Sequence, residues 1–381
     1  MIIHTKDVLQ KVKERFSIDI ATESTKLQFI HIPPKRPLAK RFTLIMESWD
    51  TITMAWNALN QLCPTIYIDT TGCAFTFWVA KVLAGCHVVA YVHYPTISTD
   101  MLQLVWERRP SYNNAQVTTV SSYIKLVYYG AFAILYGTTG SLADLVMVNS
   151  TWTYNHIRSL WRGIPDSKLH IVYPPCNISV PRKTTTKRNS HWIVSIGQFR
   201  PEKDHALQIK SFAKLLQISD SNKKLYKLIL IGSCRGSDDE GRVEALRRLA
   251  YEELQLPKSQ MEFVVNPPFS TVQEYFQTCG VGLHTMWNEH FGIGIVEMMA
   301  SGLLVVAHDS GGPKSDIIVI EPAETGFLAS TADQYAQQMQ RAACWKDAEQ
   351  MRQRAQTSVK RFSDDVFQTN FVQLMKTISC K

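Results

Sequence analysis

Short apolar runs alternate with longer helical patterns along almost the whole of this 381-residue chain, and that alternation is the mark of βαβ units. Strands joined through crossover helices pair in parallel, so the expected fold class is α/β, built on parallel sheets with helices on their faces. In the first half, strands are expected at residues 65–69, 87–93 and 145–149. Residues 181–190 are polar and basic, have no apolar periodicity, and read as a linker between a first domain over 1–180 and a second over 191–361. The second domain is expected to hold strands at 192–197, 228–232, 262–265, 281–284 and 303–307, with helices at 205–216 and 240–254. A helical tail over 333–378 follows, and about 100–200 residues per domain agrees with two domains.

Hydrophobic residues make up 45% and charged residues 19%, which is the balance of a globular chain with sizeable cores. The net charge of +8 favours anionic partners, whether nucleic acid, acidic lipid or diphosphates. No block of five or six like charges and no nucleic-acid module is legible, so no nucleic acid is expected as a partner. The eight cysteines include no Cys-x-x-Cys pair and fit neither a disulfide framework nor a zinc site, which points to a reducing compartment. Sequons occur at Asn149 and Asn177; in a reducing compartment they are coincidental, and Asn149-Ser150-Thr151 reads as the polar start of a helix. Met1 to Asp7 carries no signal-peptide pattern. The longest uncharged stretch, residues 126–143, contains Gly137 to Ser141, which argues against a bilayer span and for a buried or interfacial helix. Its Tyr128, Tyr129, Phe132 and Tyr136 suit either a headgroup boundary or a core.

The chemistry concentrates in Asn288-Glu289-His290-Phe291-Gly292-Ile293-Gly294-Ile295-Val296-Glu297. Two glycines precede an apolar helix whose free N–H groups favour a phosphate, and Glu297 is expected in its first turn, where a carboxylate can accept two hydrogen bonds from a ribose diol. The competing reading makes Glu289 a solvated loop acid and Glu297 a helix N-terminal acid. A second glycine turn, Ser310-Gly311-Gly312-Pro313-Lys314, follows the next strand and is either a wall around phosphates or an ordinary turn. After the first strand of the second domain comes Gly197-Gln198-Phe199-Arg200-Pro201-Glu202-Lys203, where a guanidinium and an ammonium can neutralise a diphosphate, or stand as two exposed cations. His93 ends an apolar strand at a sheet mouth. A paired-carboxylate glycosidase is disfavoured, because a hydrolase has no use for the basic loop. No D-x-D triplet or histidine-rich spacing occurs, so no metal site and no cofactor are expected.

These motifs resemble the retaining GT-B glycosyltransferases of family GT4, whose E-x7-E pattern corresponds to Glu289 and Glu297. Three blocks, Tyr91 to Met101, Ser195 to Lys203 and His284 to Gly292, are similar to the branch that carries mannose from GDP-mannose to a dolichol-diphosphate-linked oligosaccharide in protein N-glycosylation. The likeness runs from about Phe42 to the C-terminus. It implies two Rossmann-like domains facing a cleft, with the last helix, over 362–381, crossing back to the first domain.

It also implies the following roles. Glu289 would contact the transferred sugar and Glu297 the ribose, Phe291, Gly292 and Ile293 would offer backbone amides, and Arg200 and Lys203 would hold the diphosphate beside Gly197. His93 would lie beside the donor sugar. Asp100 would orient the acceptor, or with Ser98 and Thr99 cap a helix, and Gly311 and Gly312 would wall the donor phosphates. The implied setting is the cytosolic face of the endoplasmic reticulum membrane. Implied partners are GDP-mannose, the dolichol-linked acceptor, the membrane surface and other mannosyltransferases of the pathway. The family pattern of an N-terminal anchor and a glycine-rich loop is not legible here, so the first domain is expected to be N-terminally incomplete. Two other functions fit the residues: a GT4 transferase with another donor or lipid acceptor, which a preference for UDP would mark, and an inactive binding subunit, which donor binding without turnover would mark.

Overall fold

The computed structural model describes residues 9, 10, 13, 29–32, 43–97, 119–178, 188–219 and 225–379. Within them the first domain runs α1 (Thr43–Gln61), β1 (Ile66–Asp69), α2 (Phe75–Trp78, continued by a π turn, Val79–Leu83), β2 (His87–Val92), α3 (Thr119–Gly140), β3 (Leu145–Val148), α4 (Thr151–Leu160) and β4 (Leu169–Ile171). All four strands pair in parallel in the order β1-β2-β3-β4. Both faces of the central strands are covered, which is why they read as unbroken apolar runs rather than alternating ones. Val88, Ala90, Val92, Val146 and Val148 pack toward Phe77, Phe132, Tyr136 and Trp161 of the helical layer. Val89, Tyr91, Leu145 and Met147 face the other way.

That second face is covered by the C-terminal helix. The second domain comprises β5 (Asn189–Ile196), α5 (His205–Ile218), β6 (Lys227–Gly232), α6 (Ser237–Arg248), β7 (Met261–Val265), α7 (Phe269–Thr278), β8 (Cys279–Leu283), α8 (Ile293–Ala300), β9 (Leu304–His308), a π turn (Pro313–Ile317), β10 (Phe327–Ala329), α9 (Ala332–Ala343) and α10 (Ala348–Ser358). The chain then returns as α11 (Asp364–Ser379), whose Phe367, Phe371, Leu374 and Met375 pack on Val89, Tyr91, Leu145 and Met147.

The second sheet is parallel throughout, in the order β10-β9-β8-β5-β6-β7. Period-2 alternation splits its side chains between two cores: Ile193, Leu228 and Leu230 meet α5, α6 and α9, while Val194, Ile229 and Ile231 meet α7 and α8. From β5 the chain builds outward through β6 and β7, then crosses to β8 on the other side. The strand order therefore reverses between β5 and β8, and a crevice opens outside their carboxyl ends.

Several boundaries differ from the sequence reading. β5 opens at Asn189 rather than Trp192, so it takes in the last two residues of the expected linker. Arg188 is part of the domain, donating to the carbonyls of Phe276 and Cys279 at 2.6 Å and of Ser301 at 2.5 Å. Phe132 and Tyr136 are core side chains, with the Tyr136 hydroxyl donating to the carbonyl of Gly72 at 3.0 Å, so they are not headgroup contacts. No helix among the described residues is long and apolar enough to cross a membrane.

Phe367 meets the Tyr91 ring edge-on at 5.9 Å and is one of four α11 side chains packed on the first sheet. Phe367→Ala is expected to cost about 2 kcal/mol of stability, measured by urea denaturation, the low end for a half-buried phenylalanine. A loss under about 0.5 kcal/mol would mean that α11 does not bear on the first domain's core.

Candidate active site at the sheet crossover

The loops after β5 and β8 meet at the crossover crevice, and their contact is an ion pair. Lys203 Nζ lies 2.5 Å from Glu289 Oε2, and His284 Nε2 lies 3.1 Å from the same oxygen. His284 follows the last residue of β8, so the strand itself aims the imidazole. Burial alone would raise the Glu289 carboxyl, but the hydrogen bond and field from His284 and then the Lys203 ammonium outweigh it and hold the group far below the usual carboxylate range. Glu289 is a fixed anion. Lys203 also touches Met286 Sδ at 3.3 Å, so in the free protein its ammonium is already engaged.

α8 begins two residues beyond His290–Phe291. Gly292 is its N-cap at φ +114°, and a Cβ there would lie 3.0 Å from Ile295 Cδ1, so glycine is required by backbone conformation and by space. The amides of Phe291, Gly292, Ile293 and Gly294 meet no acceptor among the described residues, which leaves a donor-lined helix start. Phe291 itself is 2% exposed, and its ring packs on Phe362 and Tyr173, while Ile293 is exposed. Glu297 lies beyond the first turn, correcting the sequence reading, because α8 starts only at Ile293. Its half-buried carboxylate has no cation or donor among the described residues, and burial pushes it up to about 7. One carboxylate of the pair is paired and ionised; the other is unpartnered and poised.

The second glycine turn supports the first. Gly312 N–H donates to the carbonyl of Glu289 at 2.8 Å, and a Cβ at Gly311 would fall 2.4 Å from that same oxygen. These glycines bring two backbones together, and the Gly312 amide is taken. Asn288 N–H donates to Ser310 Oγ at 2.8 Å across the same junction, and Lys314 pairs with Asp309 at 3.0 Å. On the opposite wall, Gly197 N–H is bound to the Ile231 carbonyl, so it offers no donor to a ligand. Arg200 is half-exposed, and its nearest carboxylate among the described residues is Glu202 at 3.9 Å, which leaves the guanidinium loosely paired.

The first domain approaches from the end of β2. His93, expected as the last residue of the strand, falls just past β2, exposed, with its ring 4.8 Å from Tyr91, and the surrounding protein lowers its pKa so that the imidazole is neutral near pH 7. Asn149 Nδ2 donates to the His93 carbonyl at 2.9 Å. Asp100, with Ser98 and Thr99, lies outside the described residues. Three rings that were not singled out in the sequence close the gap: Tyr94 stacks on His290 at 4.2 Å, and Trp152 lies 4.9 Å from His290. His284 was likewise missed as a partner of Glu289, although its place just past an apolar run was the available signal. Among the described residues no group of three or more His, Cys, Asp or Glu side chains converges as a metal cage.

Comparison with known proteins follows the same outline. The family profile described as ALG11 mannosyltransferase N-terminus matches residues 2–161, so likeness begins ahead of Phe42, and that of glycosyl transferases group 1 matches residues 179–360. The GDP-Man:Man(3)GlcNAc(2)-PP-Dol alpha-1,2-mannosyltransferase of Xenopus tropicalis is 45% identical over 385 residues, covering 97% of this chain and 77% of the relative. That of Homo sapiens is 43% identical, covering 99% and 78%, and that of Dictyostelium discoideum 38%, covering 98% and 75%. Solved structures similar in fold include an alpha,alpha-trehalose-phosphate synthase from Burkholderia vietnamiensis (TM-score 0.69, 12% identity, 90% of this chain and 79% of that one). A sucrose-phosphate synthase from Thermosynechococcus elongatus has a TM-score of 0.66 at 17% identity, covering 90% and 81%. The fold is GT-B.

Between its ordinary value of 4.5 and about 7, Glu297 holds a proton in the native state that the unfolded chain has lost, so this group makes stability fall as pH rises through that window. Glu297→Gln removes the dependence. The variant should gain melting temperature over the parent progressively from pH 5 to pH 7.5 and hold a constant advantage above that. A pH-independent difference in calorimetric scans would show that Glu297 is not desolvated as described.

Proposed function

The chain belongs to the family of GDP-Man:Man(3)GlcNAc(2)-PP-Dol alpha-1,2-mannosyltransferases, and from that membership we propose that it transfers mannose from GDP-mannose to a dolichol-diphosphate-linked oligosaccharide, adding the fourth and fifth mannose residues with retention of configuration. The observation that carries the reading is the pair of carboxylates in opposite states at one helix start. Glu297, unpartnered beside free amides, has the chemistry to accept the ribose diol, and a donor hydrogen-bonding to it would favour its ionised form. Glu289, kept ionised by Lys203 and His284, has the chemistry to accept hydrogen bonds from hydroxyls of the sugar being moved.

In this scheme the acceptor hydroxyl attacks the anomeric carbon on the face from which GDP departs. The new C–O bond forms as the sugar–phosphate bond breaks, its electron pair leaves on the β-phosphate oxygen, and that oxygen takes the hydroxyl proton. Arg200 and the α8 amides meet the growing negative charge, and the neutral His93 imidazole hydrogen-bonds the donor sugar from the other domain. No protein nucleophile, metal or cofactor takes part.

The setting we propose, the cytosolic face of the endoplasmic reticulum membrane, accords with the acceptor's lipid. It is supported by the outward side of the first domain's helical layer, where Trp49, Trp56, Trp78, Val82, Ile134 and Leu135 are all exposed. Aromatic and aliphatic side chains gathered on one outer layer suit a headgroup boundary.

Mass analysis of a dolichol-diphosphate oligosaccharide after incubation with this chain and GDP-mannose in detergent tests the reading. A gain of two hexoses is expected. No gain on that acceptor, with transfer from a UDP-sugar instead, would overturn it. Arg200→Ala should lower turnover about 100-fold with the melting temperature unchanged. An unaltered rate would remove Arg200 from the reaction.

A further inference from the structure

Between the two domains lies a buried carboxylate that the reaction scheme does not use. Asp316 sits in the π turn after Gly312 and is 6% exposed. Its own domain contributes one donor to the carboxylate, Ser315 Oγ at 2.8 Å from Oδ2. Two more come from α4 of the first domain, Thr151 N–H at 3.0 Å from Oδ2 and Thr151 Oγ1 at 2.5 Å from Oδ1, and one from the segment after β4, Tyr173 OH at 3.0 Å from Oδ1, whose ring packs on Phe291 and Phe362 of the second domain. Thr151 is the first residue of α4, so the anion also meets the positive end of that helix. Burial, followed by the neighbouring Asp316 charge, pushes the Tyr173 hydroxyl up to about 12, so it remains a donor across the working range.

Each end of this contact leads directly to the site. On one side the Asp316 turn follows Gly312, whose amide holds the Glu289 carbonyl. On the other, Thr151 adjoins Ser150 and Asn149, and Asn149 holds the His93 carbonyl. Trp152, next to Thr151, faces His290, which is next to Glu289. A path of hydrogen bonds and short stretches of chain thus runs from Glu289 through Asp316 and α4 to His93, and among the described residues it crosses between the domains where the Asp316 carboxylate meets Thr151.

We propose that Asp316 is a positioning residue for the transfer reaction: by capping α4 from the opposite domain, it sets the spacing between His93 and Glu289. Its carboxylate oxygens are taken up by Ser315, Thr151 and Tyr173. The inference rests on the transferase reading for its kinetic part but not for its structural part. Charge-assisted bonds to a carboxylate are short and directional, so they fix a separation rather than merely adding attraction. Positioning errors of about 1 Å at a reacting centre cost on the order of 100-fold in rate.

Asp316→Ala and, from the other domain, Thr151→Val test it, the second guarding against a folding defect in the first. Asp316→Ala should lower turnover about 100-fold and Thr151→Val about 10-fold, with the dissociation constant for GDP-mannose changed less than about twofold. The two losses should be non-additive in the double variant. Small-angle scattering should show a larger radius of gyration for Asp316→Ala, and hydrogen exchange should quicken at the first turn of α4. Asp316→Glu should recover part of the turnover. Equal losses of donor affinity and turnover would place Asp316 in the donor pocket and overturn the proposal, as would wild-type rates with unchanged scattering. Scattering and exchange need no turnover, so an inactive parent protein would count against the transferase reading while still deciding the domain-spacing role.

Discussion

Everything around the crossover crevice depends on keeping one desolvated carboxylate charged. Glu289 reaches Lys203 and His284 because β5 and β8 are parallel neighbours whose following loops leave the sheet at the same edge. An ion pair in so little water is stable only when both partners and their hydrogen bonds are present, and losing one partner leaves an uncompensated buried charge. The rest of the loop is built to satisfy that requirement. Gly312 holds the Glu289 carbonyl, Ser310 holds the Asn288 amide, and the absence of a Cβ at Gly311 lets the two backbones touch.

One consequence concerns the division of labour among cations. Arg200 and Lys203 read in the sequence as an equivalent pair for a diphosphate. In the fold they differ: Lys203 is committed to Glu289, whereas Arg200 has only a distant contact with Glu202. The guanidinium and the α8 amides are therefore left without a close acceptor among the described residues, while Lys203 is held against Glu289 and keeps it ionised. The contrast with Glu297 is of the same kind. Two carboxylates eight positions apart share a motif, yet local partners hold one fixed as an anion and leave the other near the midpoint of its titration at neutral pH.

Much of the fold was legible because parallel strands buried on both faces announce themselves as apolar runs, as at Leu145–Val148 and Lys227–Gly232. The expectation that the last helix returns to the first domain rested on resemblance rather than on pattern. Three-residue strands carry too little signal, so Leu169–Ile171 and Phe327–Ala329 went unread. The site was legible as motifs but not as pairings. A sequence shows Glu289 and His284 close together, but not that strand β8 aims one at the other. It shows Gly311 and Gly312, but not that their space is filled by the backbone of Glu289 rather than by a ligand. Asp316 had no local signal at all, since its partners Thr151 and Tyr173 lie more than a hundred residues away in the sequence.

The state of Glu297 tests the account most directly. GDP-mannose has no ionisation of its own near neutral pH, so proton release on binding reports the protein. Titration calorimetry at pH 7 in buffers of different ionisation enthalpy should find that binding releases about half a proton, and that the release vanishes in Glu297→Gln. Binding without proton release, or with release unchanged in the variant, would contradict the division between a paired, permanently charged Glu289 and an unpartnered Glu297 that ionises when the donor arrives.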